Sequence, residues 1–93
     1  MKKVITLEDV RAALTDTLDA EGKRELDKMS DEALLDSNLN EDLLMDSLEI
    51  IESVMVLEKE CGISVPDESY DNFRKNGSTV RAMIDEINRV INL

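Results

Sequence analysis

The 93-residue chain sets 22 acidic side chains against 11 basic ones, for a formal net charge of −11 at pH 7, and contains no histidine. That sign lacks the basic footprint needed by a nucleic-acid partner or an anionic membrane surface, and the missing imidazole excludes His-based catalysis. It suits basic protein partners, which such a field steers, as readily as it suits simple solubility.

At the start, Met1-Lys2-Lys3 is basic, but no apolar core of a signal segment follows, and no apolar run anywhere is long enough to span a bilayer. Thr6 with Glu8 and Asp9 marks a helix start, and Leu7, Val10, Leu14 and Leu18 repeat at helical spacing. The spacing predicts a first helix from about Thr6 to Leu18 or a turn further, interrupted by Gly22. From Asp19 to Met45 the pattern weakens. Ser30-Asp31-Glu32 opens a short helix ending near Leu35, and Leu39 and Leu43 serve as plugs that fasten a long loop to the core. A second helix starts at Asp46, where Asp46 and Glu49 fit a capping box, and ends at Gly62 as a left-handed cap. Cys61, the one cysteine, has no internal disulfide partner, so a reducing cytoplasm is expected.

Pro66 holds Val65 extended. Asp67 to Arg74 then forms a short helix that docks Tyr70 and Phe73, the only two aromatics. Gly77-Ser78 breaks the chain before a last helix from Thr79 to about Ile91, aligned by Val80, Met83, Ile84, Ile87 and Ile91. Nothing reads as β. The expected fold is all-α: one domain over residues 1–93, a small bundle of three main helices with one or two short ones.

At about 100° per residue, Ile50, Val54, Leu57 and Cys61 form one tight stripe of the second helix, the core face. Leu48, Ile51 and Met55 form a separate apolar stripe, bordered by Glu49 and Glu52, with Glu58 within its edge. Such a stripe is either a docking surface or a second buried side of the bundle. Val56 reads as an exposed aliphatic, and Ser53 as a border hydroxyl bonded to a nearby carbonyl. Ser47 sits between the stripes at the helix start. If Asp46 is the cap, the Ser47 hydroxyl is spared that task and points outward. A phosphodiester there would meet the free N–H groups of the helix end, opposed by Asp46 and Glu49.

Asn40-Glu41-Asp42-Leu43-Leu44-Met45-Asp46-Ser47-Leu48-Glu49 resembles the segment around the modified serine of acyl carrier proteins. Ile50 to Glu60 is similar to that family's second helix, Ile63-Ser64-Val65-Pro66-Asp67-Glu68 to its acidic loop, and Thr79-Val80 with Met83-Ile84-Asp85 and Ile87 to its final helix. The likeness covers residues 37–93; the first helix agrees in position and pattern only. It implies 4′-phosphopantetheine, moved from coenzyme A onto Ser47 beside the cap Asp46, with acyl groups held as thioesters on the arm and room for an acyl chain between the helices. It implies partner contacts at Leu48, Glu49, Ile51, Glu52, Met55 and Glu58. The partners would be a phosphopantetheinyl transferase and acyl-transferring or condensing enzymes with basic docking patches. The chain itself would be a cytoplasmic, monomeric, non-catalytic carrier for fatty-acid, polyketide or related acyl biosynthesis, with no metal, nucleic acid or membrane insertion. It departs from the family at Leu44, where glycine is frequent, at Lys59, where an acid is common, and in two longer loops.

Two other readings are open to the same residues. Asp36, Asn38 and Asn40 alternate as in a calcium loop, but Glu41 stands where glycine is needed and Ser47 where a bidentate glutamate is needed. A small acidic helical interaction module without a prosthetic group would use the same second-helix stripe and leave Ser47 unmodified.

Overall fold

The computed structural model describes residues 4–92, so Met1-Lys2-Lys3 lies outside the described residues. Six helices follow one another: α1 Leu7–Thr17, α2 Ala20–Lys28, α3 Asp31–Asp36, α4 Ser47–Cys61, α5 Glu68–Lys75 and α6 Val80–Ile91. Among the described residues there is no strand, only an isolated bridge between Asn38 and Thr79. The all-α bundle expected from the spacing is what forms, with three short helices instead of one or two.

Each long helix starts where its capping side chain stands. Thr6 accepts from the Asp9 N–H, Asp46 from the Glu49 N–H and Thr79 from the Ala82 N–H. Gly62 ends α4 in the left-handed region at φ 66° and ψ 39°. Helix α1 packs chiefly on α4, while α3 and α5 lie on α6. Val10 and Leu14 of α1, Leu57 of α4 and Val80 of α6 are each at most 1% exposed. Each such aliphatic side chain contributes about 1.5–3 kcal/mol by leaving water.

Gly22 does not end the first helix. Helix α1 stops at Thr17, and Gly22 lies buried in the first turn of a separate helix, its N–H bonded to the Asp19 carboxylate at 2.9 Å. A Cβ on Gly22 would come within 2.9 Å of Leu18 Cδ2, so the missing side chain lets α2 fold back against the end of α1. Arg11 secures this return: its guanidinium donates to the carbonyls of Leu26 and Met29, both at 3.3 Å, and to Asp31 at 3.1 Å.

The segment between α3 and α4 is irregular but tightly bonded. Leu39, Leu43 and Met45 are 0%, 1% and 2% exposed, so the expected plugs Leu39 and Leu43 are joined by a third. Asn38 Oδ1 accepts from the N–H groups of Asn40 and Glu41, and Asp42 Oδ2 accepts from the Asn38 N–H at 2.8 Å. Two backbone bonds clip this segment to the start of α6: Leu39 N–H to the Ser78 carbonyl at 3.0 Å, and Val80 N–H to the Ser37 carbonyl at 3.1 Å. The chain therefore reaches α4 along a fixed path.

Candidate functional site

The start of α4 is built from a reciprocal pair. Asp46 Oδ1 accepts from the Glu49 N–H at 2.8 Å, and Glu49 Oε1 accepts from the Asp46 N–H at 3.2 Å. Ser47 follows as the first helical residue, exposed, and its hydroxyl has no hydrogen-bond partner among the described residues.

The other six serines are differently placed. Ser37, Ser53, Ser69 and Ser78 are buried; the first two donate to the carbonyls of Leu34 and Ile50, and Ser69 donates to Glu86. Ser30 is exposed, but its oxygen caps α3 through the Ala33 N–H. Ser64 is exposed in the loop after α4, away from any helix start. Among the described residues, Ser47 is the one serine that combines an accessible hydroxyl with a helix N-terminus already capped by its neighbour.

Helix α4 presents both stripes read from its sequence. Ile50, Val54, Leu57 and Cys61 are buried, whereas Leu48, Ile51 and Met55 are 63%, 40% and 58% exposed. The second stripe is therefore surface, not a second core face. Ser53 bonds the Ile50 carbonyl at 2.7 Å, as expected for a border hydroxyl. Val56 departs from expectation: it is half-buried against the core, because α1 lies along that side of α4.

The carboxylates of this face differ in how they are held. Glu52 is exposed on the helix, and Glu49 is half-buried with one oxygen in the cap. Glu58 is half-buried, and its Oε2 accepts from the Val65 N–H at 2.9 Å, which ties the extended loop to α4. Between Lys28 and Lys59 the sequence has nine carboxylates and no basic residue. Arg11 and Arg81 reach into this stretch only at Asp31 and Asp36. Among the described residues no cluster could hold a metal ion, and Asp36 of the calcium-loop pattern is spent on Arg81.

Beside Ser47 runs an open groove of about 520 Å³ between α4 and α5. Ile51 and Met55 form one wall and Val65, Tyr70 and Phe73 the other, with Asn40 near the serine end. Burial, then the carboxylates of Glu58 and Asp67, push the Tyr70 phenol above its ordinary pKa. The sequence placed Tyr70 and Phe73 as docking residues of α5 but did not show that they face Ser47 across a groove. Their spacing of three puts them on one helix face, which was the available signal. Behind the groove, at the junction of α4, α5 and α6, the free space is about 20 Å³, room for about one water. That space does not admit an alkyl chain unless these helices part.

The family described as "Phosphopantetheine attachment site" matches residues 23–87. The chain belongs to the acyl carrier protein family. It is 28% identical to an acyl carrier protein of Petrotoga mobilis over 95% of this chain and 94% of that one. It is 30% identical to one of Helicobacter acinonychis over 84% and 90% of the two chains. With one of Thermosynechococcus vestitus it shares 31% identity over 91% of this chain and 90% of the relative. No solved structure matches the chain with significance. Its prosthetic group is 4′-phosphopantetheine, and the α4 start of this carrier protein fits that group. The free Ser47 hydroxyl offers a nucleophilic oxygen, the helix N-terminus offers N–H groups to a phosphodiester, and the groove gives a flexible arm somewhere to lie. No helix among the described residues is long and apolar enough to cross a membrane.

Proposed function

We propose that Ser47 carries 4′-phosphopantetheine and that the chain hands acyl intermediates between enzymes of fatty-acid, polyketide or related acyl biosynthesis. One observation carries the assignment to Ser47: its hydroxyl is exposed and, among the described residues, unbonded at the first residue of α4, because Asp46 already caps the helix. When bound, the group supplies a terminal thiol that holds acyl groups as thioesters.

Loading is an exchange at phosphorus. Ser47 Oγ attacks the coenzyme A phosphorus that bears the pantetheine, forming an O–P bond. The pyrophosphate P–O bond breaks, adenosine 3′,5′-bisphosphate leaves, and the serine proton must go to a base. Among the described residues no base is hydrogen-bonded to the Ser47 hydroxyl. The chain has no histidine, and Asp46 and Glu49 are tied into the cap. The base therefore belongs to a phosphopantetheinyl transferase, and the carrier contributes the oxygen and the surface by which the enzyme finds it.

That surface is the exposed stripe Leu48, Ile51 and Met55 with Glu49, Glu52 and Glu58 around it. Basic patches on the transferase, and on acyl-transferring or condensing enzymes, meet the carboxylates, which speeds encounter and fixes register. Glu58 acts through the one oxygen that Val65 leaves open. We assign the carrier to a single domain over residues 1–93, acting as a cytoplasmic monomer. Incubation with coenzyme A and a broad-range phosphopantetheinyl transferase, followed by intact-mass measurement, tests the reading. Addition of one phosphopantetheine supports it, and an unchanged mass refutes it.

A further inference from the structure

Leu44 occupies a backbone conformation that suits a different residue. Its φ is 59°, in the left-handed region, where a Cβ crowds the backbone and glycine moves freely. The flanks impose that conformation. Leu43 and Met45 are both buried, the Met45 N–H donates to the Leu39 carbonyl at 3.0 Å, and Asn40 Nδ2 donates to the Met45 carbonyl at 2.9 Å. With both neighbours turned inward, the Leu44 side chain is turned out.

It is 55% exposed, so burial in the core does not offset the backbone cost. Of the five large apolar residues most exposed among the described residues, four are Leu44, Leu48, Ile51 and Met55. Leu44 precedes the α4 stripe in the chain and lies three residues before Ser47. The fold would be served better by glycine there, and a leucine gains only if another molecule covers it.

The sign of the surroundings says which kind of molecule. Glu41, Asp42, Asp46 and Glu49 flank Leu44 in sequence, and none is in an ion pair among the described residues. An apolar side chain within a field of carboxylates fits an apolar recess bordered by Lys or Arg. Three residues of chain span at most about 11 Å, so whatever loads Ser47 must come close to Leu44. We infer that Leu44 is an apolar docking anchor for the phosphopantetheinyl transferase. The inference rests on Ser47 being the loaded residue.

Loading kinetics of the full unmodified chain test this, with coenzyme A and a broad-range phosphopantetheinyl transferase as the probe. Leu44→Gly and Leu44→Asn both remove the apolar side chain while tolerating the left-handed backbone. Each is expected to raise the KM for the carrier about tenfold with kcat nearly unchanged and to leave the melting temperature no lower than in the parent. Leu44→Met should restore the parent KM, since a flexible apolar side chain fills the same recess. A KM within about twofold of the parent in both polar and glycine variants overturns the anchor while leaving Ser47 intact. A concentration-dependent dimer that Leu44→Gly dissolves would put a second copy on the patch and also overturn it. Failure of the parent chain to load at all would sink the Ser47 assignment itself.

Discussion

Asp46 and Glu49 hold each other's backbone N–H groups, at 2.8 and 3.2 Å, and leave Ser47 between them with an uncommitted hydroxyl. The capping task and the exposed hydroxyl thus fall to adjacent residues. Asp46→Ala removes the cap and should lower stability by about 1 kcal/mol. Ser47→Ala removes only an exposed hydroxyl and should change stability by less than about 0.5 kcal/mol. Urea unfolding of the two variants measures the contrast.

Glu86 is the buried carboxylate of the fold. It is 7% exposed and receives Ser69 Oγ at 2.8 Å, Asn72 Nδ2 at 3.2 Å and the Arg89 guanidinium at 2.7 Å, joining α5 to α6. The Arg89 hydrogen bond, working against burial and helped by Ser69 and Asn72, lowers its pKa to about 2 from an ordinary 4.5. A carboxylate depressed in the folded state stabilises fully above its unfolded pKa and loses that contribution as pH falls through the folded one. Stability should therefore decline between about pH 4.5 and 2. Glu86→Gln should flatten the decline and cost about 1–2 kcal/mol at neutral pH, read by thermal melts across that range.

Gly22 fits against Leu18 with no space for a large side chain, since a Cβ would lie 2.9–3.3 Å from three Leu18 atoms. Gly22→Ala sets a gain in helix propensity of about 1 kcal/mol against that crowding and should leave stability within about 1 kcal/mol. Gly22→Leu overpacks the contact and should cost about 1–3 kcal/mol. Denaturant midpoints of the pair separate the two effects.

What the sequence made legible was local. The Asp46–Glu49 cap, the Gly62 stop and the two stripes of α4 depend on spacing within one helix, and each appears as expected. Helix α2 was hidden because its support is distant. The penalty of a helical glycine is about 1 kcal/mol, and what offsets it is the Leu18 contact and the Arg11 bonds to the Leu26 and Met29 carbonyls. The groove beside Ser47 and the left-handed Leu44 were hidden for the same reason. Both arise when segments far apart in the chain, or pinned at both ends, meet.

Glu52 is exposed on α4 and makes no ion pair among the described residues, so it is available to a basic partner. Glu52→Lys should slow loading by the transferase while the helical circular-dichroism signal stays intact. Raising salt from about 0.01 to 0.15 M, which shortens the screening length from about 30 to 8 Å, should weaken the parent's loading more than the variant's. Equal salt responses would remove Glu52 from the docking face.

Fragmentation mapping of the loaded protein bears most directly on where the arm is attached. The phosphopantetheine mass should fall on the peptide containing Ser47, and Ser47→Ala, folded as the parent, should accept none. An arm found on Ser64 or any other hydroxyl, or loading that persists in Ser47→Ala, would contradict the assignment.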